Sequence, residues 1–428
     1  MRHVSFAVRV QISFAAIVAC LALDAAAQPA PLTLDDALEL AAQRSRQLDA
    51  ESAAADAARE MAVAAAEPPD MTLTAAITNV PVNGPEAFSL TQDFMTMRSV
   101  GIRRELTRGD KRDARAARYR LEADAAETTR ATALSELQRG TANAWLERYY
   151  NQRVGELLRR QHDEALRQIE AADLAYRTGA GPQSDVFAAR SAAAKVEDRL
   201  AANGRDVEVS IARLERWVGD AAQRPLDAPP ATDQVPLRAA ELGSELLHHP
   251  EIRLMAEQEE IARADAEIAR TNKRSDWTVE VTYSARGPAY SDLMSVNVSK
   301  PLQLRERDRQ DREVAAKLAL AERLHAERDE ATREHVAETQ ALLLGWTNDR
   351  ERLGRYASTL IPLAIERTNS ALTAYRSGTG TLTSVLDARA AELETRIDQL
   401  ALEMETAGLW AQLNYLLPSG VAHDGGSP

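Results

Sequence analysis

From Asp110 to Thr178 the chain contains no proline, and only Gly140 and Gly155 interrupt a run of strong helix formers. At 1.5 Å per residue, a helix of this kind is a rod of about 100 Å. Such a rod does not fold back into a globule; it must lie along other long helices. Its apolar residues Leu146, Tyr150, Val154, Leu157, Ala165, Ile169 and Ala172 form a stripe at helical spacing, which supplies the contact face. A second long stretch begins near Glu306 and reaches Arg376, with Pro362 as its one expected irregularity. Only 4% of the 428 residues are aromatic and 27% are charged. That leaves little bulk for a thick core and favours alanine-rich coiled coils.

The plan is written twice. "AYRTGAGPQSDVFAAR" at 175–190 returns as "AYRSGTGTLTSVLDAR" at 374–389, with eight of sixteen positions identical. Each copy ends a long helix. Gly179, Gly181, Gly378 and Gly380 therefore read as turn formers closing two helical hairpins, with Pro182 suited to the first turn of the returning helix. The return helices run from Asp185 to about Trp217 and from Ser384 to about Leu416. Ahead of each long helix lies a strand pair. In the second pair, Trp277, Val279, Val281 and Tyr283 alternate with Thr278, Glu280, Thr282 and Ser284, and Met294, Val296 and Val298 alternate with Ser295, Asn297 and Ser299. The first pair is weaker, at 71–80 and 98–106. Each half opens on a shorter helix: Leu34 to about Ala66, and one near Glu241 that is interrupted at His248-His249-Pro250 and resumes to about Ala269. The expected division is residues 33–218 and 237–417. These carry strands at 71–80, 98–106, 277–286 and 294–302 and tips at 177–184 and 376–383. A proline-rich linker covers 219–236, and 418–428 form a tail.

The first 27 residues read as an export signal. Arg2 and Arg9 precede the apolar segment 12–23, which is too short to span a bilayer comfortably, and Ala25-Ala26-Ala27 offer a cleavage site. Cys20, the sole cysteine, also fits a lipobox and is a candidate for lipidation; both readings stand. No internal disulfide is possible.

Four amphipathic strands cannot cross a membrane alone, because every edge N–H and C=O must be paired. Closure requires further copies of the chain; two, three or four copies all give an even number of strands. Tandem hairpins, strand pairs and tip motifs together resemble the TolC-type outer-membrane efflux family, across nearly the whole mature chain. "RGPAYSDLMSVNVSKPLQLRERDRQDRE" at 286–313 is similar to the heavy-metal (CzcC/CusC-like) branch. The resemblance implies a mainly α fold with a small β part. Three chains would close a 12-stranded transmembrane β-barrel continued by an α-barrel. It also implies a homotrimer in the outer membrane that meets a periplasmic membrane-fusion adaptor and an inner-membrane pump of the resistance-nodulation-division type.

Within that resemblance Tyr375 and Asp185 match a contact that holds the periplasmic tip shut, and Asp387 matches a ring aspartate. The other ring position is Ser384, and Gly380 stands where a basic residue is known in the family. Three symmetry-related carboxylates at a narrow mouth attract cations. The plainer alternative is that Asp185 and Asp387 suit the N-terminal turns of the return helices. The four tip glycines are candidate adaptor contacts. Arg177 and Arg376 read as caps of the last helical carbonyls.

The net charge of −13 suits either a solvated bundle surface or a cation-attracting channel, and argues against a nucleic-acid partner. Trp277, Tyr283 and Tyr290 fit an interfacial belt. Met95 and Met97 read first as packing and second as soft-ion contacts. The histidines at 162, 248, 249, 325, 335 and 423 form no pair at ligand spacing, so no metal set, cofactor site or catalytic constellation is expected and the chain reads as a non-enzyme. The leading reading is a passive duct for heavy-metal cations in a tripartite system. The alternatives are a same-fold duct for drugs, organic compounds or secreted proteins, and a periplasmic coiled-coil adaptor.

Overall fold

The computed structural model describes residues 30–236 and 249–418. The export segment with Cys20, the helix near Glu241, His248, His423 and most of the tail lie outside them. The described helices are α1 (Leu34–Arg44), α2 (Arg46–Ala66), α3 (Gly109–Arg177), α4 (Gln183–Val218), α5 (Pro250–Thr271), α6 (Gln310–Arg355), α7 (Ile361–Arg376) and α8 (Leu382–Asn414). The strands are β1 (Thr72–Thr78), β2 (Met97–Leu106), β3 (Trp277–Ala285) and β4 (Leu293–Ser299). The fold is mainly α with one small sheet.

The chain forms two compact units. The first gathers residues up to Arg44, Gly140–Thr232 and Arg352–Gly408. Here the stripe on α3 is buried at Leu146, Tyr150, Leu157, Ala165 and Ala172, as helical periodicity requires. Gly140 and Gly155 do not break α3. At Gly140 the indole of Trp217 lies so close to the helix that an added Cβ would sit 2.5 Å from it; this glycine is a packing seat. Proline-rich residues beyond α4 are tied down rather than loose. The Leu32 N–H donates to Pro225 O at 2.7 Å, and the Leu32 carbonyl accepts from Asp227 N and from the buried Trp145 indole N–H at 3.1 Å. Pro362 has the expected effect: a turn of π-helix at Tyr356–Leu360 precedes α7, absorbing the missing N–H.

The second unit gathers Ser45–Arg139, Asp233–Glu351 and the chain from Leu409. Buried alanines dominate its helix contacts: Ala55, Ala62, Ala116, Ala123, Ala266, Ala269 and Ala321. Side chains this small let the helices approach closely, and charged pairs knit their flanks. Asp265 accepts from Arg118 at 2.5 Å and from Lys317 at 3.0 Å. Glu259, 1% exposed, meets Arg263, Arg328 and His325. Lys111 and Asp276 form a buried pair at 2.5 Å.

Three local expectations are corrected. The opening helix is two helices, because Ser45 leaves helical geometry (φ −72°, ψ 107°) and its hydroxyl caps the Leu48 N–H. Pro182 is the N-cap of α4 rather than its first residue. Arg177 pairs with Asp173 one turn back instead of capping carbonyls.

Candidate functional site

Two features carry chemistry that a chain of this kind could use: the sheet and the hairpin tips. The sheet, within the second unit, has the order β1-β2-β3-β4, antiparallel throughout. Its central pairing, β2 with β3, joins the two halves of the sequence. The register aligns Leu73, Ile102, Val281 and Val296 in one row, and Ala75, Val100, Tyr283 and Met294 in the next. Thr74, Gly101, Thr282 and Ser295 form the row between them, and Thr72, Arg103, Glu280 and Asn297 the row on the other side of Leu73. Alternation sends the first set to one face and the second to the other. One face is therefore continuously apolar and the other polar, with Ser99 and Ser284 hydrogen-bonded across strands at 2.8 Å.

No other part of the described chain covers the apolar face: Leu73 is 72% exposed, Met294 74% and Val296 63%. The outer edges of β1 and β4 have no strand partner among the described residues. Trp277 opens β3, while Tyr283 stands near its other end and Tyr290 in the loop beyond, all exposed. Trp277 and Tyr283 are roughly 20 Å apart along the strand. Met95 is exposed in the loop before β2, and Met97 begins that strand opposite Thr78.

The tips, in the first unit, are built alike bond for bond. In one, Ala180 N and Gly181 N both donate to Ala175 O, at 2.8 and 3.1 Å; in the other, Thr379 N and Gly380 N donate to Ala374 O, both at 2.9 Å. Gly179 (φ +71°) and Gly378 (φ +75°) occupy the left-handed conformation that terminates the helix. Gly181 and Gly380 serve close approach instead. A Cβ there would lie 3.3 Å from the Ala175 Cβ and 3.0 Å from the Ala374 Cβ. Thr381 caps α8 through its hydroxyl, 3.2 Å from Ser384 N, at the position where Pro182 precedes α4. Behind the tips, arms from both hairpins share one core: Ala172, Val186, Ala189, Leu382 and Val385, with Tyr375 packed against it.

Asp185 lies in the first turn of α4, Tyr375 in the last turn of α7, and Asp387 is exposed on α8. Within the described chain no hydrogen bond or ion pair joins Tyr375 to Asp185, and the Asp387 carboxylate has no partner. Asp387 borders a groove between α3, α4 and α8, beside Arg389, which bonds Glu164 at 2.6 Å. These three groups are not brought together among the described residues.

Solved structures with this architecture include outer-membrane channels. VceC, an outer membrane protein from Vibrio cholerae, is 19% identical and superposes with a TM-score of 0.73, over 90% of this chain and 95% of its own. The CmeC outer membrane channel of Campylobacter jejuni is 12% identical, TM-score 0.75, over 90% and 85%. CusC is 13% identical, TM-score 0.75, over 89% and 91%. This chain has their fold. Neither a protein-family model nor a curated protein sequence matches it. The likeness to CusC is no stronger than to the others, so fold alone does not select a branch.

Sequence reading missed one cluster. His249, the N-cap of α5, accepts from Glu251 N at 3.3 Å through Nδ1, so it does serve the helix start as expected. It also stacks obliquely on His335 of α6, with ring centroids 4.1 Å apart. Burial, with His335 and Arg139 adding repulsion, pushes the His249 imidazole down to about 4, so it is neutral near pH 7. Nothing in the spacing of these residues signalled the pairing.

Proposed function

We propose that this chain is one subunit of a homotrimeric export duct in the outer membrane of a Gram-negative bacterium, serving a tripartite efflux system. The observation that carries the reading is the two-faced sheet with two open edges. In water its apolar face and unpaired edges invite aggregation. In a bilayer, three copies joined β4 to β1 give a closed ring of 12 strands, apolar outside and polar within, inside the size range of outer-membrane barrels. The aromatics at both ends of β3 suit the two interfaces. Export would follow cleavage of the first 27 residues or lipidation of Cys20.

In this reading the helical hairpins form the periplasmic tube, and their tips meet an adaptor coupled to a resistance-nodulation-division pump. Asp185, Tyr375 and Asp387 gate the tip, the aspartates favouring cations. The substrate is a heavy-metal cation, a choice supported by the similarity of 286–313 to that branch and by the acidic charge of the chain. Purified protein in detergent is expected to have the mass of three chains and to conduct in planar bilayers with cation selectivity that falls in Asp387→Asn. A folded monomer soluble without detergent overturns the duct. Deletion of the gene should raise sensitivity to at least one of copper, silver, zinc, cobalt, cadmium or nickel. Unchanged sensitivity to all of them, with sensitivity to organic compounds instead, removes the metal substrate and leaves the duct.

A further inference from the structure

The structure assigns a divalent transition-metal site to His249, Glu251 and His335. This inference is independent of what the duct carries and of whether the chain is a duct. It starts from two orphaned atoms. The Nε2 atoms of His249 and His335 are both buried, and neither makes a hydrogen bond of good geometry among the described residues, although the Leu416 carbonyl lies near the His249 ring. His249 as a whole is 2% exposed. Unpaired polar atoms of this kind are rare and cost free energy unless something fills the gap. Here the two rings lie with centroids 4.1 Å apart and a carboxylate adjoins them: one ligand atom from each of the three residues falls within 4.8 Å of the others.

The donor set decides the ligand. Two imidazoles and one carboxylate match zinc and its neighbours cobalt(II), nickel(II) and copper(II). Magnesium and calcium prefer all-oxygen cages. Copper(I) and silver prefer sulfur, which this cluster does not offer. Ligands of a tetrahedral zinc sit about 2.1 Å from the ion, hence about 3.4 Å from one another. The three side chains must close by up to about 1.4 Å, and the exposed Glu251 has the freedom to do so. Water can take the fourth position.

The electrostatics are mixed, which sharpens the assignment. Arg139 lies near enough to oppose positive charge on His249, and the N-terminus of α5 is itself a positive dipole end. A bare cation would not collect here by charge attraction. A metal bound through imidazole lone pairs can, with Glu251 offsetting part of its charge. Coordination through His249 Nε2 moves the ring proton to Nδ1 and gives up the long 3.3 Å cap from Glu251 N. That exchange needs no net proton release. The ion would tie α5 to α6 directly, within the second unit.

The test uses the full chain, tag-free, demetallated and kept in detergent, titrated calorimetrically with zinc chloride. His335→Gln removes one ligand without touching a cap. His249→Asn removes another and keeps a good N-cap residue. His162→Gln is the control. One zinc per chain is expected at this site. Each ligand variant should bind about tenfold more weakly or worse, and the control should be unchanged. Zinc should raise the unfolding temperature of the parent but not of His335→Gln, and cobalt(II) should give an intense visible band only in the parent. If the double variant His249→Asn/His335→Gln binds zinc as tightly as the parent, or excess magnesium displaces the zinc, the assignment is wrong.

Discussion

Charging the apolar face of the sheet separates a barrel strand from a surface strand. Val296 is the fourth of seven residues in β4, and its row partner Val281 the fifth of nine in β3, so the row Leu73–Ile102–Val281–Val296 crosses the middle of the sheet. If that face meets lipid, Val296→Arg puts a guanidinium near the bilayer midplane, at a cost of about 2–4 kcal/mol per chain. Three copies in a ring make this roughly 6–12 kcal/mol per assembly, and even 2 kcal/mol is about a thirtyfold shift. If the face meets water, the same change at a side chain 63% exposed should stay within about 0.5 kcal/mol. Ser295→Arg, one residue away on the polar face, is the internal control. The assay is the yield of heat-modifiable oligomer in outer-membrane fractions. The expected order is parent, then Ser295→Arg close behind, then Val296→Arg and Val281→Arg nearly absent. Equal yields for Val296→Arg and Ser295→Arg would refute the barrel argument.

Other consequences can be checked on the purified protein. Gly378→Ala and Gly179→Ala force a Cβ into the left-handed region and should each cost about 1 kcal/mol in thermal melts; unchanged melting of both would show that the tips are not held in this conformation. Lys111→Met strands the buried Asp276 carboxylate and should destabilise by about 3 kcal/mol or more, with much of the loss recovered in Lys111→Met/Asp276→Leu. Burial alone would raise the Asp265 carboxyl, but hydrogen bonds from Lys317 and Arg118 and their charges hold it below its usual value of 3.8. Its contribution to stability is therefore complete above that value and is lost as pH falls through the folded-state value. Asp265→Asn should be less stable at neutral pH and should show a flatter acid limb in denaturant titrations than the parent.

Much of the site was legible because it is local. Period-two alternation from Trp277 to Tyr283 defines a strand and its faces whatever lies next to it. The glycines at 179 and 378 fix the helix ends through backbone conformation, a property of single residues. Other features were hidden because they join distant parts of the chain. The Ser45 break depends on a cap that competes with helix continuation only marginally. The role of Gly140 depends on where Trp217 arrives. Tyr375, Asp185 and Asp387 are found at or near the hairpin tips, yet the contact the family resemblance implies for Tyr375 and Asp185 is not made among the described residues, because it depends on how the two hairpins are aligned.

What the sequence determined by itself is the inventory: long alanine-rich helices, four amphipathic strands, two matching tips. Each follows from propensity and periodicity, which act over a few residues. Tertiary structure alone decided the pairing of β2 with β3, the seat of Trp217 on α3, and the meeting of His249 with His335. Those depend on how remote elements are aligned, and the local sequence pattern does not encode that alignment.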